Sequence, residues 1–212
     1  MLGKAAVAMW WDVAPGMRAE WEHWHSSEHM PERLAIPGFL RGTRWVARSG
    51  EPCYFVLYEV AELATITTGA YLERLNHPTP WSLKMMPHHR NMVRSLCAVR
   101  AGWGGGVPQT LATIRFTPKS ELPRLPQGKG LTGAHLLQSQ PMPGGQTTEQ
   151  KIRGGDAAAD WIVVVTGYDA AALDALLAGE LGDDALAARR AAAATQRALY
   201  ALSLSSAVGD LD

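Results

Sequence analysis

The sequence predicts an α+β protein made of two copies of a βαββαβ unit, whose antiparallel sheets pack face to face into a barrel. Three observations carry this. The order strand, helix, strand, strand, helix, strand occurs before residue 101 and again after residue 109. Between the two lies Gly102-Trp103-Gly104-Gly105-Gly106-Val107-Pro108, the clearest linker in the chain. Six of seven histidines and seven of eight tryptophans precede residue 105, so any chemical site is expected in the first copy. The expected units are residues 1–101, the linker 102–108, and a degenerate second copy, 109–212.

Each element has its own pattern. Ala5 to Asp12 is a short apolar run, as in a buried strand. From Met17 the period becomes helical, with Met17, Trp21, Trp24, His25 and Glu28 on one face and His29 at its edge. Pro31 lacks an N–H, and the helix is expected to end or distort near His29. Phe39 to Arg48 and Tyr54 to Val60 read as strands joined by a loop at 49–52. A helix is expected from Ala61 to Leu75, an irregular insertion from Trp81 to Arg90, and a strand from Met92 to Arg100. In the second copy, Thr110 to Phe116, Leu131 to Gln138, Trp161 to Tyr168 and Arg197 to Ser205 are the strands. Its first helix shrinks to Ser120–Leu125, a polar loop covers Pro141 to Asp156, and Ala170 to Arg190 is helical with a break near Gly182.

Composition narrows the function classes. Of 212 residues, 47% are hydrophobic, ample for a core. Twenty basic residues balance twenty acidic ones, which argues against nucleic acid or an anionic membrane as partner. No apolar run approaches the roughly 18 residues of a membrane span, and no signal-peptide pattern is seen. Cys53 and Cys97 stand in no motif and read as thiols in a reducing cytoplasm. The expectation is a cytoplasmic protein acting on a small molecule, as a monomeric pseudo-dimer or a homodimer of it.

The stretch from Trp21 to Arg33 holds three histidines and two tryptophans. His25 and His29 are four apart, so they share a helical face, and imidazole exchanges protons near neutral pH. They are the candidate catalytic pair. Trp11, Trp21, Trp24, Arg44, Tyr54, Tyr58, Trp81 and His88 are the candidate substrate-binding residues. Arg44, like Arg41, could pair with a carboxylate; alternation alone leaves open which way Tyr54 and Tyr58 face. His25-Ser26-Ser27-Glu28-His29 is also a literal H-x-x-E-H, the inverted zinc-protease pattern. No Asp or Glu lies between Glu73 and Glu121 to supply a third ligand, and Pro31 falls where that helix should continue. No metal and no cofactor are therefore expected.

His29-Met30-Pro31, followed by Ile36-Pro37-Gly38-Phe39 and a strand, resembles the EthD-like branch of the dimeric α+β barrel (ferredoxin-like) superfamily. The resemblance covers residues 5 to 101; beyond them only element order matches. It implies a ferredoxin-like fold and a cavity-facing acid/base histidine at His29. Where many relatives carry an aromatic residue, this chain has His25. The superfamily hosts lactone isomerisation, cyclisation, dehydration, decarboxylation and oxidation, so fold does not fix function. The leading expectation is a cofactor-independent lyase, isomerase or cyclase acting on an aromatic or lactone-like metabolite. The alternatives are an oxidative enzyme of the same fold, cofactor-free or haem-linked, and a non-catalytic binding barrel.

Overall fold

A computed structural model describes residues 1–48, 52–67, 69–141, 145–188 and 193–210. Of the loop expected at 49–52, only Pro52 is among them. Eight strands close into one antiparallel barrel: β1 (Ala5–Val13), β2 (Phe39–Ala47), β3 (Tyr54–Val60), β4 (His89–Gly104), β5 (Thr110–Thr117), β6 (Leu131–Gln140), β7 (Trp161–Gly167) and β8 (Ala193–Ala207). Their order around the barrel is β1-β3-β2-β8-β5-β7-β6-β4. The first four thus run 4-1-3-2 and the last four repeat that order, with β2·β8 and β4·β6 joining the two sets.

Strand alternation sorts the side chains into three layers. Ala6, Ala8 and Trp10 of β1 point into the barrel, where Trp45, Phe55, Leu57, Leu111, Leu137, Ile162 and Tyr200 fill the interior. Ala5, Val7 and Trp11 point outward and pack under the first-half helices. A third layer, including Ile114, Phe116, Leu136 and Leu173, packs under the second-half helices. The space between the two sheets is therefore filled by aromatic and aliphatic side chains. The enclosed cavity beside the histidines lies on the other side of the first sheet, beneath the helices.

The first helical segment is distorted near His29, one of the two outcomes expected there. Helix α1 (Arg18–Trp24), a π turn (His25–His29) and α2 (Met30–Leu34) follow one another without a break. Pro31 does not end the segment. It sits in the first turn of α2, where its missing N–H costs little. The wide turn takes up the irregularity, with Met30 N–H bonding back to the His25 carbonyl.

The remaining helices are short. The stretch expected as one helix from Ala61 becomes a 3-10 turn at Leu63–Ile66 and α3 (Gly69–Asn76). Helix α4 (Pro80–Met85) is capped by the Thr79 hydroxyl. Strand β4 begins earlier and ends later than expected, so Gly102 to Gly104 pair with β6. No helix forms over 120–125. Instead, the expected polar loop contains α5 (Thr148–Ile152), nucleated by a capping box between Thr147 and Gln150. The last helical stretch divides into α6 (Ala170–Ala178) and α7 (Asp183–Ala188), as Gly182 suggests. No helix among the described residues is long and apolar enough to cross a membrane.

Gly42 of β2 lies opposite Tyr58 of β3, and a Cβ there would stand 2.9 Å from the tyrosine ring and 3.2 Å from Met30. Phe39 and Met30 leave that ring little freedom. Gly42→Ala is expected to destabilise the protein by about 1–3 kcal/mol through overpacking, measured by urea unfolding. An unchanged midpoint would mean the ring is not confined.

Candidate functional site

The helical segment lays Trp21, Trp24, His25 and His29 against the outer face of β1, β3 and β4. Trp21 stacks on His25 with ring centres 4.9 Å apart, and Trp24 lies 4.5 Å from His29. The two imidazoles are 5.6 Å apart. Beside them is an enclosed cavity of about 30 Å³, close to the volume of one water in the liquid. It is lined by Trp11, Trp24, His25, His29, Tyr58 and a third histidine, His89, with Arg33 and three methionines completing the wall.

The histidines differ in what their nitrogens can do. His89 donates from Nδ1 to the Met86 carbonyl (3.0 Å), and its Nε2 accepts from Trp21 Nε1 (3.2 Å). Both nitrogens are used, which fixes one neutral tautomer. Burial, then the Arg153 charge, lower its pKa to about 3. His25 receives an N–H from Arg44 on Nδ1 (3.4 Å), and burial followed by Arg44 holds it well below the ordinary imidazole range. His29 Nδ1 is buried with no hydrogen-bond partner among the described residues. Burial, then Arg33, likewise push its pKa well down. His29 is thus neutral at pH 7 with an uncommitted ring nitrogen.

Three further buried polar atoms on lining residues lack partners among the described residues: Trp11 Nε1, Arg33 Nη1 and Tyr58 Oη. Orphaned buried polar groups are costly. Here they gather around one space, and all three can donate a hydrogen bond. Arg33 is buried and donates from Nη2 to Glu149 of α5. Glu149 also takes Arg153 Nη1 at 3.4 Å, and Arg153 makes a two-pronged contact with Asp156 at 2.8 and 3.2 Å. A chemical site was expected in the first copy, yet the second half brings a carboxylate, Glu149 of α5, and the Arg153 guanidinium to this cavity.

Other candidates fall elsewhere. Arg44 ties down the helix through the Glu22 carbonyl, Ser26 Oγ and Ser203 Oγ, and lies over the Trp21 ring. Tyr54 faces the helices and donates to Glu22 at 2.6 Å. Trp81 rests against His23, away from the cavity. His88 does not line the cavity; its neighbour His89 does. Arg41 pairs with Glu59 on the neighbouring strand. Glu28 of the H-x-x-E-H is spent on Trp24 Nε1 and Thr79 Oγ1. Among the described residues, no three His, Cys, Asp or Glu side chains gather into a metal-ligand set. Ligand pockets run from about 300 Å³ upward, and the side chains around His29 leave about a tenth of that, so neither a haem nor an organic substrate fits unless they move.

No protein-family model and no curated protein matches the chain. Solved structures match over nearly its whole length. An anthrone oxidase-like protein aligns with a TM-score of 0.58 and 13% identity, covering 97% of this chain and 93% of its own. A proposed monooxygenase from Lactobacillus acidophilus aligns at 0.55 and 8%, covering 96% of each chain. A proposed chlorite dismutase aligns at 0.55 and 12%, covering 98% and 96%. At such identities the likeness shows the fold alone: an α+β barrel of eight antiparallel strands closed within one chain.

The buried histidines link stability to pH. Each of His25, His29 and His89 has a native pKa below its unfolded value near 6.5, so below that pH the unfolded chain binds more protons. Stability is therefore fully present above about pH 7. It falls as pH drops, by up to about 1.4 kcal/mol per pH unit for each ring. For His89 the loss extends down to about pH 3. Urea unfolding from pH 7 to pH 5 should show this slope, and His89→Gln should reduce it by one proton. A slope unaltered by that substitution would contradict the assignment of His89 as a buried neutral ring.

Proposed function

We propose that this protein is a cofactor-independent oxidative enzyme whose first step is removal of a proton from a small, largely apolar carbonyl compound by His29. The observation that carries the reading is the uncommitted Nδ1 of a neutral, buried His29 beside three orphaned donors. A C–H next to a carbonyl loses its proton to His29 and leaves an enolate. Its oxygen then accepts hydrogen bonds from Arg33, Tyr58 or Trp11, donors that need no solvent reorganisation. The Arg33 charge that disfavours protonated His29 is offset once the enolate forms.

The enolate is electron-rich and passes one electron to dioxygen. Recombination of the two radicals forms a C–O bond, and the proton held by His29 converts the peroxide to C–OOH. Loss of water from CH–OOH gives a ketone, so the sum is CH₂ + O₂ → C=O + H₂O. Support comes from the nearly full-length fold likeness to proteins described as an anthrone oxidase-like protein and a monooxygenase. A space of about 30 Å³ suits a molecule as small as dioxygen. The organic substrate enters by displacing the side chains of Met9, Met86 and Met92, which line the space and are adaptable.

Two features extend the proposal. Residues 1–101 and 109–212 are read as fused copies of one ferredoxin-like unit, supported by the repeated 4-1-3-2 strand order. Only the first copy, which carries the EthD-like features, holds the catalytic histidine. A second reading, isomerisation, dehydration or cyclisation, uses the same first step with the Tyr58 hydroxyl as the returning acid, since that hydroxyl is also unpartnered.

Oxygen consumption with anthrone and related activated ketones tests the proposal. His29→Ala and His29→Gln are expected to lower turnover by about 10²–10⁴-fold while remaining folded. Full activity in a folded His29 variant overturns the assignment. Turnover that continues unchanged without oxygen replaces the oxidative reading with the proton-transfer one.

A further inference from the structure

The barrel interior, filled over most of its length, opens at one end. Where β1 and β5 finish and β4 and β8 begin, a groove of about 450 Å³ is lined by Asp12, Val93, Thr113, Arg115, Ala198 and Tyr200, among others. That volume lies within the range of small-molecule sites. The groove shares no lining residue with the His29 cavity, because Trp10 and Trp11 point to opposite faces of β1.

We infer that this groove is a second ligand site, built for a monocarboxylate with a small apolar body. Arg115 is half-buried, and its guanidinium lies 4.8 Å from the centre of the Trp10 ring. It makes no ion pair among the described residues. A guanidinium stacked on an indole keeps its N–H fork free at the edge, the geometry that pairs with a carboxylate. Tyr200 is fully buried at the same groove; its oxygen lies beside the Thr113 hydroxyl, which can donate to it, and its own O–H finds no acceptor among the described residues. One carboxylate supplies what both lack: a counter-charge for Arg115 and an acceptor for the Tyr200 O–H. Neither the counter-charge nor the acceptor is supplied by protein among the described residues, and leaving such needs unmet is costly.

The surroundings select among anions. Asp12 stands on the rim, its oxygens held by the Cys53 N–H (2.7 Å) and Asn91 Nδ2 (3.2 Å). A fixed negative charge there disfavours a dianion such as phosphate and tolerates a single charge. The other rim arginine, Arg197, is already paired with Asp183 at 2.6 Å. Val93 and Ala198 offer apolar contact to the body of the ligand.

Benzoate is the probe. Calorimetric titration into the intact protein should show saturable one-to-one binding that inorganic phosphate does not displace. Arg115→Gln should weaken it at least about tenfold, the loss expected for a charge-assisted hydrogen bond. Arg115→Lys should fall between the two, and Tyr200→Phe should weaken binding less. His29→Ala should bind benzoate as the unsubstituted protein does, which separates this site from the proposed catalytic one. Circular dichroism and thermal unfolding verify that each variant is folded. The inference is overturned by absence of saturable binding or by equal affinity in folded Arg115→Gln. Binding that is lost in His29→Ala but kept in Arg115→Gln also overturns it.

Discussion

The arrangement around His29 depends on the buried pair between Arg33 and Glu149. The two residues lie 116 positions apart and are each nearly inaccessible to solvent. A charge this deep must be paired. Arg33 rides on α2, at the end of the histidine-bearing segment, and Glu149 rides on α5. Pairing them fastens α5 against the first-half cavity, and Arg153, locked to Asp156, backs the same carboxylate. With that cover in place the cavity is closed off from bulk solvent on the α5 side. Burial, with the Arg33 charge beside it, keeps His29 neutral, and Arg33 Nη1 has no protein partner among the described residues.

The π turn contributes the geometry. Pro31 cannot donate a backbone N–H, and the wide turn before it accommodates that loss without ending the helix. His25 and His29 stay on one face, and Arg33 follows one turn later. Trp21 and Trp24 then cover the two rings from the helix side, while Trp11 and Tyr58 rise from the strands below. Most of these side chains are large and rigid. The methionines at the wall are the exception, and they are where space can open.

Much of this was legible in the sequence. Strand order followed from alternation and from the glycine-rich stretch after residue 101. The clustering of the Trp21 to Arg33 aromatic and histidine side chains followed from composition, and the shared face of His25 and His29 from their spacing. The side on which the cavity lies did not, because a strand buried on both faces carries no alternation to show which face a tyrosine meets. His89 was hidden by local geometry. Met92, Arg94 and Leu96 face the helices, and strict alternation would continue to Arg90. Asn91 adopts a positive φ of 55°, which shifts the parity and turns His89 inward. Asn tolerates that conformation, but nothing in the sequence marks this one. Helix α5 was missed because five residues give no periodicity, although Thr147 and Gln150 form a capping box. Arg33 and Glu149 are brought together by tertiary packing alone.

The central claim is that His29 is a buried, neutral imidazole whose Nδ1 is committed to no protein group among the described residues. Nitrogen-15 NMR of histidine-labelled protein reads the protonation and tautomer of each ring directly. The account predicts that the His29 signals keep the pattern of a neutral ring through pH 6.5, where a free imidazole is half protonated. A His29 ring that titrates with a midpoint near 6.5, as an exposed imidazole does, would contradict it.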